Sequence, residues 1–114
     1  SELIKKFRNE NSVDFTLVDN LLTKFANAPT DIRNQVKNNF NNLDEQLKSK
    51  ELREEAGKLF EQFRASGSVD LAAVENLLNR FPNVSENIRN QIRERFNKLS
   101  EQLVLKSLRE EAKK

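Results

Sequence analysis

The feature that most restricts the fold of this sequence is an internal duplication. Residues 3–58, here called copy one, align without a gap with residues 59–114, copy two, and about half of the aligned pairs are identical. The match is clearest in LIKKFRNENSVDFTLVDNLLTKF against LFEQFRASGSVDLAAVENLLNRF, and in IRNQVKNNFNNLDEQL against IRNQIRERFNKLSEQL. Self-similarity at a fixed period is typical of proteins built from repeated supersecondary units. Each residue of copy one therefore has a counterpart 56 positions later.

The spacing of apolar residues predicts three helical segments in each copy. The first covers residues 3–8 in copy one and about 50–64 in copy two, and the third begins near Thr30 or Ser85. Apolar residues recur at steps of three and four, which places them on one face of a helix. Short helices with one apolar face are marginal alone and become stable by packing together. We therefore expect an all-α fold built from small helical bundles.

The second helix of each copy carries the clearest signals for its two ends. It begins at Asp14 or Asp70, where a carboxylate can accept a free backbone N–H of the first turn. The apolar residues on either side of this cap stand at the positions of a hydrophobic staple. The helix ends at FANAP or FPNVS, because Pro29 and Pro82 cannot continue it.

The proline-free stretch Thr30–Arg64 joins the two copies. Its first apolar stripe ends at Leu47 and the next begins at Leu52, which at about 100° per residue lies roughly 140° further round a helix. Two structures are therefore possible for this stretch. It forms either one helix of roughly 50 Å that packs against different partners along its length, or two helices separated by a short break near residues 48–50. Gly57 disfavours the first alternative by roughly 1 kcal/mol relative to alanine.

These patterns predict an all-α protein of two tandem three-helix units, 1–58 and 59–114, joined through a long or nearly continuous helix. The segment LREEAGK, which begins the second unit, recurs as LREEAKK at the end of the sequence, after the apolar residues Val104, Leu105 and Leu108. We therefore expect the sequence to be part of a longer protein that contains further units of this kind. This segment would then contact the neighbouring units of the same protein.

Composition excludes several kinds of chemistry. The 114 residues include no Cys and no His, which removes thiol chemistry and the commonest general base and metal ligand. The apolar fraction is 36% and the charged fraction 33%, but the net charge of +2 and the periodic apolar residues argue against disorder. Basic residues alternate with acidic ones and no exposed aromatic is expected among them, so nucleic-acid binding is not predicted. No apolar run is long enough for a membrane span, and the compartment stays undetermined.

One polar triplet, Arg-Asn-Gln, is identical in both copies and is the candidate contact surface. It lies at Arg33, Asn34 and Gln35 and again at Arg89, Asn90 and Gln91. Two interpretations stay open for the triplet. Either two recently duplicated copies have not yet diverged here, or the triplet forms a partner site or a contact between units.

Acidic residues give no catalytic or metal-binding pattern. Glu54 and Glu55 recur at the end of copy two on a charged surface, where ion pairing or solvation explains them. The segment FEQFRASGSVDLAAVENLL resembles an EF-hand in Gly67 and Val69. The alternating Asp and Asn ligands are missing, and Ala73 replaces the bidentate Glu, so calcium binding is not expected.

Part of copy two resembles a known module. PNVSENIRN followed by SLREEAKK, between Pro82 and Lys113, resembles the second and third helices of the staphylococcal immunoglobulin-binding three-helix modules, which also occur in tandem. The resemblance implies a three-helix bundle. It implies no binding residues, because Glu75 and Asn76 stand where that family carries its contact aromatics. Helices that run from one bundle into the next also resemble spectrin-type arrays, whose units are about twice as long.

The sequence therefore predicts a non-enzymatic structural or protein-binding repeat module without a cofactor. The alternative is a carrier of a lipid or other apolar small molecule in a cavity lined by phenylalanines. All eight phenylalanines lie on or beside apolar stripes, so packing in a core explains most of them. A bound fluorescent fatty acid would favour the carrier, and capture of a protein partner would favour the module.

Overall fold

The computed structural model describes residues 2–114, which form five α-helices and contain no β-strand. The helices are α1 (Glu2–Glu10), α2 (Phe15–Lys24), α3 (Thr30–Ser66), α4 (Leu71–Asn79) and α5 (Glu86–Ala112). The predicted all-α class is confirmed. Within residues 2–114, no helix combines the length and the apolar character needed to cross a bilayer.

Both predicted aspartate caps are present. Asp14 precedes α2 and its Oδ1 accepts the backbone N–H of Thr16 at 3.0 Å. Asp70 precedes α4 and its Oδ1 accepts the N–H groups of Ala72 at 3.0 Å and Ala73 at 3.3 Å. Each carboxylate thus satisfies first-turn donors that have no partner within the helix, and the two start sites are fixed by the same chemistry.

The turns before α2 and α4 are made by residues in the left-handed region. Asn11 has φ 59° and Gly67, its counterpart, has φ 83°. Asparagine and glycine are the residues that adopt this conformation most readily. The turn allows the N–H of Ser12 to donate to the Phe7 carbonyl at 3.1 Å, and the N–H of Gly67 to donate to the Phe63 carbonyl at 2.9 Å. Such bonds satisfy carbonyls at a helix C-terminus, so each helix ends where the sequence becomes polar.

Of the two alternatives for the stretch that joins the copies, the structure has the single continuous helix and no break near residues 48–50. Helix α3 runs for 37 residues from Thr30 to Ser66, and Gly57 is accommodated within it. Leu47 belongs to the core of the first compact unit and Leu52 to the core of the second. The helix backbone is continuous while its apolar face is not, so one helix supplies side chains to two separate cores.

The first of two compact units extends to Lys48 and contains α1, α2 and the first part of α3. Its buried apolar residues are Phe7, Val18, Phe40, Leu43 and Leu47. Half-buried residues of α1 and α2 pack around them, with Val13 and Val36. Phe25 is the exception to the expected burial of the phenylalanines, because it lies mostly exposed at the end of α2.

The second compact unit covers residues 49–114 and contains the rest of α3 together with α4 and α5. Its core is larger and is made of Leu52, Ala56, Phe63, Val74, Leu77, Leu78, Phe81, Val84, Ile92, Phe96 and Leu99. Leu59 and Phe60 are only partly buried, and both pack against this core. The predicted division at residues 58 and 59 follows the repeat in the sequence and stays a prediction.

We predict that Asp70→Ala lowers the free energy of unfolding by about 1 kcal/mol, because two N–H groups of α4 lose their acceptor. Asp70→Asn is the matched control: its side-chain oxygen can accept the same bonds, so it should retain most of the stability. Urea denaturation followed by circular dichroism measures both. Equal losses in the two variants would show that the cap does not act through these hydrogen bonds.

Candidate functional site

The two Arg-Asn-Gln triplets lie at the same place in their helices. The backbone N–H of Arg33 donates to the Pro29 carbonyl at 3.1 Å, and that of Arg89 donates to the Ser85 carbonyl at 3.1 Å. These are the first helical bonds of α3 and α5, so each triplet begins one turn into its helix. Helix α5 also has a side-chain cap, because Ser85 Oγ accepts the N–H of Ile88 at 3.5 Å.

The arginines of the triplets are held against the protein. Both are half-buried, and the Nε atoms of Arg33 and Arg89 are buried with no hydrogen-bond partner. Arg89 Nη1 lies 2.7 Å from Glu86 Oε1. Arginine commonly packs its apolar stem on a protein surface while the charged end reaches solvent. The Nε atoms of both arginines are therefore not accessible for contacts outside their own unit.

The amides of the triplets are exposed to solvent. Asn34 and Gln35 in the first unit, and Asn90 and Gln91 in the second, all have exposed side chains. An amide side chain carries both donors and acceptors, so these groups are suited to hydrogen bonding with a polar surface. In Asn90 the Oδ1 atom already accepts from Arg93 Nη1 at 2.7 Å.

Arg93 connects α5 to α4 through an ion pair that sequence reasoning missed. Its Nε donates to Glu75 Oε1 at 2.7 Å and its Nη2 donates to Glu75 Oε2 at 3.2 Å. The forked guanidinium matches both carboxylate oxygens, which is the strongest geometry for such a pair. The structure thus joins Arg89 and Asn90 to a polar cluster with Glu75, Glu86 and Arg93, and it leaves Gln91 exposed beside the cluster.

A weak sequence signal for this pair exists. The counterparts of Glu75 and Arg93 are Asp19 and Lys37, so both copies carry an acid and a base at the same two positions. Asp19 has a shorter side chain and Lys37 offers a single ammonium, so this pairing cannot reproduce the two-bond fork. The contact of Asn90 with an arginine in the second unit therefore has no counterpart in the first triplet.

The ion pair sets the charge state of Glu75. Hydrogen bonding from Arg93, together with the positive charges of Arg93 and Arg89, holds the pKa of Glu75 below its usual range. The same hydrogen bond raises the pKa of Arg93. Glu75 is therefore ionised at neutral pH, and it is unsuited to proton donation. Within residues 2–114 no group of three or more acidic side chains converges in a way that could hold a metal ion.

The described concave surfaces of the protein are shallow and lined mainly by polar residues. One groove of about 370 Å³ lies between the second part of α3 and α4 and is lined by three apolar residues, Leu59, Ala73 and Leu77, together with five polar or charged residues. Two other surface depressions lie along α1 and along the end of α5. Phenylalanines are absent from the residues lining these three surfaces, and the carrier hypothesis stays a prediction.

No protein-family model, curated protein or solved structure matches this chain. The candidate surface consists of two exposed amide pairs, each beside a half-buried arginine, and of one ion-paired cluster at the start of α5.

We predict that Arg93→Gln raises the pKa of Glu75 toward its ordinary value, because the carboxylate loses its strongest donor. Since the folded pKa of Glu75 is lowered, the stabilisation by this pair is present at neutral pH and is lost as the pH falls through that folded pKa. An NMR titration of the Glu75 carboxyl carbon measures the shift.

Arg95→Gln is the control for this titration. The Arg95 guanidinium lies 5.1 Å from the centre of the Phe60 ring and is not part of the Glu75 pair. The control should leave the pKa of Glu75 unchanged. An unchanged titration in Arg93→Gln would contradict the assignment of the ion pair.

Proposed function

We propose that the chain consists of two tandem three-helix units and acts as a structural or protein-binding module without catalytic activity or a cofactor. Its mechanism would be contact along exposed helix faces, with a protein as partner. In repeat arrays each unit contacts only its neighbours, and the surface offered to a partner grows with the number of units. The candidate contact surface is the pair of Arg-Asn-Gln triplets.

The strongest support for tandem units comes from two pairs of phenylalanine rings. In the first compact unit the rings of Phe7 and Phe40 lie 5.7 Å apart at 78°. In the second, their counterparts Phe63 and Phe96 lie 5.7 Å apart at 76°. Edge-to-face rings at this distance are favourable beyond the area they bury. Two cores that use the same ring geometry at matched positions are what a duplicated bundle predicts.

The turns support the same proposal. The capping residues Asp14 and Asp70 are counterparts, as are the left-handed residues Asn11 and Gly67. A left-handed residue and an N-cap together fix where one helix ends and the next begins. Matched turns between matched helices therefore favour a common path of the chain in both copies.

The main support for protein binding is that the same two amide side chains are exposed in both units. Asn34 and Gln35 have exposed side chains, and so do Asn90 and Gln91, one turn into a helix in each case. Each pair lies next to an arginine whose stem is fixed by burial of its Nε atom. A fixed cation beside two exposed amides is suited to acidic side chains and backbone carbonyls of a partner.

Two copies of such a surface would raise the apparent affinity for a partner with two matching sites. Once the first site is occupied, the second binds at a high effective concentration. A weak contact at each triplet is then sufficient for stable binding. A repetitive or oligomeric partner can offer two matching sites, so it gains more from this effect than a monomeric partner does.

The test is affinity capture from a host extract with quantitative mass spectrometry. The variant carries alanine at all four amides, Asn34, Gln35, Asn90 and Gln91. The matched control carries alanine at Asn41, Gln46, Asn97 and Gln102, which are also exposed and also identical in both copies. We predict that the amide variant captures at least about tenfold less of the partner, a loss of about 1.4 kcal/mol, while the control captures as much as the unmodified chain.

Variants in one triplet alone separate the two sites. We expect Asn34→Ala with Gln35→Ala, and the same changes at Asn90 and Gln91, each to give a partial loss because one site remains. Circular dichroism shows whether each variant is folded. If the four-amide variant is folded and captures the same proteins in the same amounts, the triplets are not the binding surface.

A further inference from the structure

The groove between α3 and α4 in the second compact unit is lined by two rows of residues with the same spacing. Each row follows the pattern i, i+3, i+4 and i+7 and so covers two turns of helix, about 10 Å. The rows are Glu55, Lys58, Leu59 and Gln62 in α3, and Ala73, Asn76, Leu77 and Arg80 in α4 and its C-cap. The connection 67–70 reverses the chain between the two helices. Arg80 therefore lies at the end of the groove where the α3 row begins.

A small residue keeps this groove open. The apolar residues that line it are Leu59, Ala73 and Leu77, which all belong to the second core or pack against it. Their counterparts in the first unit are three partly buried leucines, Leu3, Leu17 and Leu21, which pack against the first core. Because the side chain of alanine ends at Cβ, the second unit leaves open the space that the rest of Leu17 fills in the first. The group that fits this space is the branched end of a leucine side chain.

The charged residues of the groove leave one cation without a counter-ion. Glu55 Oε1 lies 3.7 Å from Lys58 Nζ, so these two charges offset each other. The Arg80 guanidinium lies 5.7 Å from the centre of the Phe81 ring, and it has no acidic partner within residues 2–114. A guanidinium binds a carboxylate with up to two parallel hydrogen bonds. The charge of the groove is therefore complementary to an acidic side chain from outside.

The form of the groove favours a helix over a small molecule. Sites for small apolar molecules enclose most of the ligand surface, whereas this groove is shallow and five of its eight lining residues are polar or charged. Among these, Gln62 and Asn76 are exposed amides. A helix that binds in a groove uses anchors spaced by three, four and seven residues on one face. That spacing is the same as the spacing of the two rows.

We propose that this groove binds an amphipathic helix of a partner protein. A leucine-sized side chain of that helix packs over Ala73, and a second apolar side chain, one turn further, lies between Leu59 and Leu77. An acidic side chain about two turns from the first pairs with Arg80. The inference rests on the proposed protein-binding function, and it gives the module a second contact surface that is separate from the Arg-Asn-Gln triplets.

Selection from a phage-displayed library of helical peptides tests the chemistry of the partner. The target is the whole chain, and Ala73→Leu is the counter-selection target. We expect the enriched peptides to carry two aliphatic residues three or four positions apart, with Asp or Glu one turn beyond them. The proposal is overturned if no peptide is enriched over the counter-selection, or if the enriched helices lack the acidic residue.

A synthetic peptide with the enriched sequence is then titrated into variants of the chain and followed by fluorescence anisotropy. Ala73→Leu should weaken binding by at least about tenfold, because the added side chain overfills the contact. Ala72→Leu is the matched control, since Ala72 is exposed in the same turn of α4 and does not line the groove. The control should bind like the unmodified chain. Equal affinities of the two variants would show that the peptide binds elsewhere.

The first unit makes the Ala73→Leu variant a fair test. Its counterpart Leu17 is accommodated in a core of the same kind, so the variant should fold. Circular dichroism checks this for each variant.

A charge exchange tests the contact of Arg80 with the acidic residue. Arg80→Glu should weaken the peptide by about tenfold, because like charges then face each other. A peptide with lysine in place of its acidic residue should recover binding to Arg80→Glu and bind the unmodified chain poorly. Arg53→Glu is the control, since Arg53 is an exposed arginine of the same unit outside the groove. Failure of the exchange to restore binding would contradict the pairing.

The variant with alanine at all four triplet amides separates this inference from the proposed triplet surface. Its groove residues are unchanged, so it should bind the peptide as tightly as the unmodified chain. If no peptide binds the groove while the triplets still capture their partner, only the groove inference fails. Two other occupants would also overturn it: a fluorescent fatty acid, or a second copy of this chain, whose binding is lost in Ala73→Leu while no peptide is enriched.

Discussion

The change of apolar face along α3 is the constraint on which the rest of the structure depends. Leu47 belongs to the first core and Leu52 to the second, and the helix between them is unbroken. Helices α1, α2 and α4 have only nine or ten residues each, and helices this short are marginal in water by themselves. Each of them is stabilised by packing with a longer helix, and each core forms where α3 supplies apolar side chains.

The connections before α2 and α4 use the same chemistry in both units. A left-handed residue ends one helix, and an aspartate begins the next within a few residues. This leaves few backbone groups unsatisfied in the turns, and therefore little loop is needed. The polar positions of the helices are then free to differ. The second unit uses two of them for the ion pair of Arg93 in α5 with Glu75 in α4, and the first unit cannot form the same fork with Asp19 and Lys37.

Much of this fold could be predicted from the sequence because its determinants are local. The aspartate caps, the polar turns and the apolar spacing act over a few residues, and each prediction of a helix start at Asp14 or Asp70 was confirmed. The exposure of Phe25 and the pairing of Glu75 with Arg93 depend on which side chains meet across helices, and spacing along one helix does not fix that. For the same reason, the candidate triplets were visible as a repeat, but their buried Nε atoms and the bond of Asn90 to Arg93 were not.

The supply of side chains to both cores by one helix requires α3 to be continuous, and amide hydrogen exchange measures that continuity. If one helix serves both cores, the amides from Lys48 to Leu52 are hydrogen-bonded within α3 and exchange as slowly as those one turn away on either side. Fast exchange confined to these residues, with slow exchange on both sides, would mean two helices joined by a break. The two cores would then be formed by separate helices, and the shared-helix explanation of the fold would be wrong.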